Sequence, residues 1–203
     1  MNRRQASKQE TRQLILAAAR LLFAQKGMEE CTIRDIAKAA GVSPASVVVH
    51  FKSKTALLEE ALNRDLENAL TAFIASMPED QGLLERLLHL ATDFFRLYDQ
   101  NRDLYRALIR HTIFEPEGET PHMTSLSERY IRFLAGLIES EQNRGRIKPE
   151  VDPMMAAAAC FSLYLGALIM LFRQAEMSVE AVAEVLAAMT GQYLDGLTER
   201  IKP

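Results

Sequence analysis

The chain has 203 residues, 48% of them apolar and 25% charged, with two Cys and no Trp. That composition fits a globular chain and excludes a disordered, collagenous or disulfide-framed one. The net charge of −3 hides an asymmetry: residues 1–54 carry ten basic against four acidic side chains and the rest fourteen against twenty-three, so a head of net +6 precedes a body of net −9. Positive charge gathered at one end is the electrostatic footprint of nucleic-acid binding, and an acidic remainder keeps the body off the duplex.

Asn2 to Lys8 holds Arg3, Arg4 and Lys8 without apolar periodicity and reads as a basic arm. It is either an inert terminus or a phosphate or minor-groove contact. No secretory signal pattern precedes it, and Cys31 and Cys160 fit small buried hydrophobes in a reducing cytoplasm. A helix is expected from Ser7 to Lys26, with Leu14, Ile15, Ala18, Leu22 and Phe23 inward, stopped by Gly27.

The stretch Thr32 to Lys54, TIRDIAKAAGVSPASVVVHFKSK, carries the densest information. Ile33, Ile36, Ala37 and Ala40 give one apolar stripe at helical spacing, opened by Thr32 as N-cap. Gly41 ends that helix because Gly enters the left-handed region without steric cost. Ser43 caps a second short helix with Pro44 at its first position, where a missing N–H costs nothing. Two short helices joined through a Gly-containing turn are a helix-turn-helix pattern.

Ser53 caps a long helix reaching Ser76, which joins an N-terminal domain, 1–54, to a helical remainder, 55–203. Pro78 to Gly82 breaks the chain. Further helices are expected over Leu83–Tyr98, Arg102–Phe114, His122–Arg144, Pro153–Arg173 and Val179–Leu197, with Glu115 to Pro121 a loop. No strand pattern or repeat interrupts them, so the fold class is all-α, with about nine helices.

Three segments carry the resemblance: TRQLILAAARLLFAQKG from Thr11, TIRDIAKAAGVS from Thr32 and HFKSKTALL from His50. In that order and spacing they resemble the N-terminal domain of the tetracycline-repressor (TetR) family of bacterial transcriptional regulators. A weaker likeness, RGRIKPEVDPMMAA from Arg144, resembles the entry to that family's dimerisation helices. Two departures are clear: Ala45 stands where the family usually has Gly, and Val48 where it usually has Tyr, which removes a common phosphate contact. The resemblance implies a cytoplasmic bacterial regulator, a homodimer on a palindromic operator in double-stranded DNA, responsive to a small-molecule effector. Repression relieved by that ligand is the expected sense, with activation left open. Neither cofactor nor metal is implied.

Direct readout needs outward side chains on the second helix. Ala45, Ser46, Val48, Val49 and His50 occupy the family's usual contact positions, beside Ser43 and Pro44. Val48 and Val49 offer only methyl contacts, and Val49 has packing as its alternative. Ser46 suits a base or a phosphate and His50 a phosphate. Arg34 is the best guanine reader, with phosphate the alternative. Thr32, Lys52 and Lys54 are assigned to phosphate.

The middle helices carry His89, Asp93, Phe94, Tyr98, Tyr105, His111, Met123, Tyr130 and Tyr164, which read either as core or as a mostly apolar ligand pocket with a few polar groups. His89 and Asp93, four apart, also fit an acid–base pair or a hydrogen-bonded pair. No nucleophile elbow, P-loop or HExxH supports an enzyme. Met154 to Phe172 is long and apolar enough to span a bilayer, but its Ala and Gly content and unflanked ends favour a helix buried by its own chain and a partner. The dimer interface is expected on the last two helices, at Ala159, Leu163, Gly166 and Met170, and at Val182, Leu186 and Met189. A bundle within one chain is the alternative.

Overall fold

The structure is a computed structural model that describes residues 3–114, 118 and 120–198. Nine helices occupy the described residues: α1 (Arg3–Glu30), α2 (Ile33–Ala40), α3 (Pro44–His50), α4 (Lys54–Ala75), α5 (Leu83–Asp99), α6 (Arg102–Phe114), α7 (Pro121–Asn143), α8 (Pro153–Arg173) and α9 (Val179–Leu197). No strand occurs among them, only one antiparallel bridge between Ile147 and Thr198. The all-α expectation holds. The expected arm is instead helical from Arg3, while Asn2 and most of the Glu115–Pro121 loop lie outside the described residues.

Residues 1–67 and 101–125 form one compact unit, and 68–100 with 126–203 the other. This division differs from the expected boundary at residue 54, for a physical reason. Leu57, Leu58, Leu62 and Leu66 of α4 are buried in the first unit, and α6 packs on α1 there.

In the first unit, α2 packs on α1 and on α3. Ile15, Ala19 and Phe23 of α1, Ile36 and Ala37 of α2, and Val47 of α3 are almost completely buried. Leu14 was expected inward but is 51% exposed, as Leu21 is 57% exposed. The apolar period of α1 is therefore wider than the face its own unit covers. Gly27 interrupts α1 at φ 75°, ψ 169°, a region only glycine occupies without strain. Beyond it, the turn reaching Glu30 is tied down by Lys54, whose ammonium donates to the carbonyls of Met28 (2.7 Å) and Cys31 (3.1 Å). Glu59 of α4 is buried and accepts the N–H of Met123 at 2.8 Å, closing the start of α7. Burial pushes its carboxyl pKa up, against the lowering effect of that hydrogen bond.

In the second unit, α9 packs on α5 and α8. Asp152 caps α8, accepting the N–H groups of Met154 (2.8 Å) and Met155 (3.2 Å). Val182 and Leu186 are buried within this unit at 0% and 3% exposure, which corrects their assignment to a dimer face. The apolar side of α9 is taken up by its own neighbours. On α8, Ala159, Leu163 and Met170 are half-buried and Gly166 is exposed, and Met189 of α9 is half-buried. Only 39% of the most apolar window of α8 is buried, at a mean hydropathy of 2.1.

Candidate nucleic-acid interface

Local chemistry sets the ends of the two helices of the helix-turn-helix. The Thr32 hydroxyl accepts the Asp35 N–H (3.1 Å) while the Asp35 carboxylate accepts the Thr32 N–H (3.0 Å), a reciprocal capping box. The same carboxylate takes the Thr32 hydroxyl proton at 2.7 Å, and these bonds hold its pKa below the usual range. In the free chain the Thr32 hydroxyl proton is thus held by its own cap, and a phosphate would have to compete with Asp35 for it. Gly41 adopts φ 68°, ψ 30°, and its N–H reaches back to the carbonyls of Ala37 and Lys38. The chain then turns into α3, whose N-cap Ser43 accepts the Ser46 N–H at 3.1 Å. That bond uses an oxygen lone pair, so the Ser43 hydroxyl proton remains available to an anion.

Val47 points into the core at 0% exposure, while Val48 and Val49 stand out at 59% and 77%. Core packing of Val49 is thereby excluded. Pro44 and Ala45 are also exposed, and with Val48 and Val49 they occupy one side of α3. Ser46 is half-buried beside them. Arg34 and Lys52 are exposed and make no ion pair among the described residues. Lys54 is different: the carbonyls of Met28 and Cys31 hold two of its three ammonium protons, which leaves one for a phosphate. At this point α4 also offers an anion its first-turn amides and dipole.

Sequence reasoning missed Arg12. Its Nε donates to Glu60 Oε1 at 2.9 Å, its Nη2 pairs with Glu60 Oε2, and its Nη1 donates to the His50 carbonyl at 2.7 Å. The guanidinium also lies 4.3 Å over the Phe51 ring. One side chain of α1 thus holds the end of α3 to α4. The available signal was an Arg inside an apolar helical period, paired at long range with a Glu. A crevice of about 390 Å³ opens beside it, lined by Gln5, Lys8, Gln9, Arg12, Val49 and His50. The His50 Nδ1 is buried there without a hydrogen-bond partner among the described residues.

The candidate ligand residues fall into two groups. Tyr105, His111 and Met123 belong to the first unit; His89, Asp93, Phe94, Tyr98, Tyr130 and Tyr164 belong to the second. In the second unit Tyr130 stacks on Tyr164 (5.4 Å), which stacks on Phe95 (5.4 Å), while Phe94 meets Tyr98 (5.7 Å) and Tyr130 (5.8 Å). Around Tyr130, Tyr164 and Cys160 the remaining cavity is about 10 Å³, room for one water at most. Burial raises both phenol pKa values and pushes the Cys160 thiol up to about 11. His89 Nε2 lies 3.4 Å from Asp93 and 3.2 Å from the Ser76 hydroxyl, and Asp93 also pairs with Arg96 at 3.0 Å. Because Ser76 and Asp93 compete for one imidazole nitrogen, these three do not form a nucleophile relay.

Comparison with known proteins agrees with this architecture. The sequence profile of bacterial regulatory proteins, tetR family, matches residues 15–61, which span the buried face of α1, the helix-turn-helix and the start of α4. The HTH-type transcriptional regulator UidR of Escherichia coli K12 is 26% identical over 200 residues, covering 96% of this chain and 98% of its own. The probable HTH-type transcriptional regulator YttP of Bacillus subtilis is 31% identical over 143 residues, 66% of each chain. The solved structure of Salmonella enterica GusR superposes with a TM-score of 0.63 at 29% identity, covering 91% of this chain and 95% of that one. The chain belongs to the tetR family of bacterial regulatory proteins.

Proposed function

We propose that this protein is a sequence-specific DNA-binding transcriptional regulator acting as a repressor at a palindromic operator. The observation that carries the reading is α3 itself: a capped, rigid helix with its core residue fully buried and Pro44, Ala45, Val48 and Val49 presented outward. This outward side is poor in hydrogen-bonding groups. Thymine methyl contacts from Val48 and Val49 would therefore be joined by Arg34 as the polar base reader. Ser43, Ser46, His50, Lys52 and the first-turn amides of α4 would hold phosphates, with Lys8 and the crevice at the end of α3 extending that track.

A helix-turn-helix head of this size gains useful affinity from two half-sites, which calls for a homodimer. The outward stripe of α8, Ala159, Leu163, Gly166 and Met170, suits that role because its small residues permit close approach and its apolar surface is incompletely covered within the chain. A small-molecule effector would enter the second unit by parting the aromatic cluster around Tyr130 and Tyr164. Such a ligand shifts the DNA-binding equilibrium only by its preference for the non-binding state, and a few kcal/mol suffices. Helix α4, which contributes residues to both units, is the element through which that preference would act.

Selection of duplexes from a random-sequence pool by the full chain tests the reading. Enrichment of one two-fold symmetric sequence is expected. A pool that stays random after repeated rounds at low salt would overturn it.

A further inference from the structure

Helix α1 carries an apolar stripe that its own chain leaves open. Leu14 and Leu21 are 51% and 57% exposed, and Ala17 and Ala24 between and beyond them are exposed as well. The spacing of three, four and three residues puts all four on one side of the helix. A single exposed leucine is ordinary, but a contiguous apolar row is the mark of a contact surface.

We infer that this stripe docks against the same stripe of a second copy of this chain, with the two α1 helices antiparallel. The pattern is self-complementary about Ala17: Leu14 of each helix opposes Leu21 of the other, with small residues at the crossing. Charge selects the direction. Glu10 and Lys26 are exposed at opposite ends of the stripe and make no ion pair among the described residues. An antiparallel pairing brings each Glu10 within a turn of the opposite Lys26, whereas a parallel one sets like charges together. The result is an isologous, two-fold contact.

Its size defines its use. Two leucines and two alanines per copy fall well short of the roughly 800 Å² per partner buried in a stable interface. The contact alone is therefore weak and transient, and it gains weight where copies are already held near one another, as effective concentration adds to intrinsic affinity. It serves as a cooperative contact between copies, separate from the outward stripe of α8.

Disulfide trapping on the purified full chain tests this without DNA, so its outcome is independent of the operator reading. At a close helix crossing, Cys residues replacing Ala17 come within disulfide reach of each other. Under mild oxidation A17C is expected to form a covalent dimer about tenfold faster than K38C, a control at an exposed position on α2, the gain reflecting the time the two α1 stripes spend docked. Adding L14E/L21E should return the rate to the control value, with circular dichroism confirming the fold. In a variant series retaining both leucines, E10K should slow A17C trapping and E10K/K26E should restore it. Equal rates for A17C and K38C, or A17C trapping indifferent to both L14E/L21E and the charge swap, would overturn the inference.

Discussion

Removing the Arg12 side chain tests how the recognition helix is held. Arg12 makes a two-pronged pair with Glu60, donates to the carbonyl of His50 and covers the Phe51 ring. The side chains of Arg12 and Glu60 are 30% and 22% exposed, so solvent screens the ion pair in part. That pair contributes about 1 kcal/mol after screening, the bond to the helix-terminal carbonyl about 1 kcal/mol and the stacking about 0.5–1 kcal/mol. Arg12→Ala should therefore cost about 2–3 kcal/mol in urea unfolding, and a cycle with Glu60→Ala should show coupling of about 0.5–1 kcal/mol. Arg12→Lys keeps the charge but loses the fork, and should recover less than half. Affinity should fall for every duplex, because α3 loses its position, while the salt dependence of binding stays as in the parent. A stability loss below about 0.5 kcal/mol, or full rescue by Lys, would refute this account. A salt slope reduced by about one would instead make Arg12 a phosphate contact.

Other outcomes follow from single residues. Gly27→Asn should destabilise by about 1–3 kcal/mol in thermal unfolding, since its backbone region is closed to other residues. Gly41→Asn, in the left-handed region that Asn tolerates, should cost less, and the reverse order would contradict the backbone assignment. Lys54→Met should lower stability by about 1–3 kcal/mol through the two carbonyls it abandons. Glu59 has its carboxyl pKa raised in the folded chain, so its contribution is complete below the unfolded value and is lost as pH rises through the folded one. Glu59→Gln, which keeps an acceptor for the Met123 N–H, should flatten that loss and match or exceed the parent at neutral pH. An unchanged pH profile of urea unfolding would remove Glu59 as its source.

The helix-turn-helix was legible because its determinants are local. A cap, a glycine and a proline, each with its own backbone preference, set where α2 and α3 begin and end. Helical spacing misplaced Leu14, since a helix that is apolar around much of its girth does not declare which side its own chain will cover. Val182 and Leu186 failed for a related reason: an apolar stripe tells that something is buried, not whether the partner is α5 or another chain. Lys54, Thr32 and Arg12 depended on tertiary neighbours. The first two were assigned to phosphate from position, yet Lys54 meets carbonyls 23 and 26 residues away and the Thr32 hydroxyl is held by its own cap. The aromatic residues of the second unit were recognisable as a group, but neither their packed state nor the two-unit division that separates Tyr105, His111 and Met123 from the rest is encoded in a local pattern.

The role proposed for α3 and Arg34 is to read DNA sequence. Fluorescence anisotropy of the full chain, with the duplex enriched by selection and a scrambled duplex at two salt concentrations, tests it most directly. Tight, salt-dependent binding to the selected duplex and weak binding to the scrambled one are expected. Arg34→Ala should lose about 1–3 kcal/mol on the selected duplex and little on the other. Equal affinity for both duplexes, or an Arg34→Ala loss of the same size on each, would contradict it.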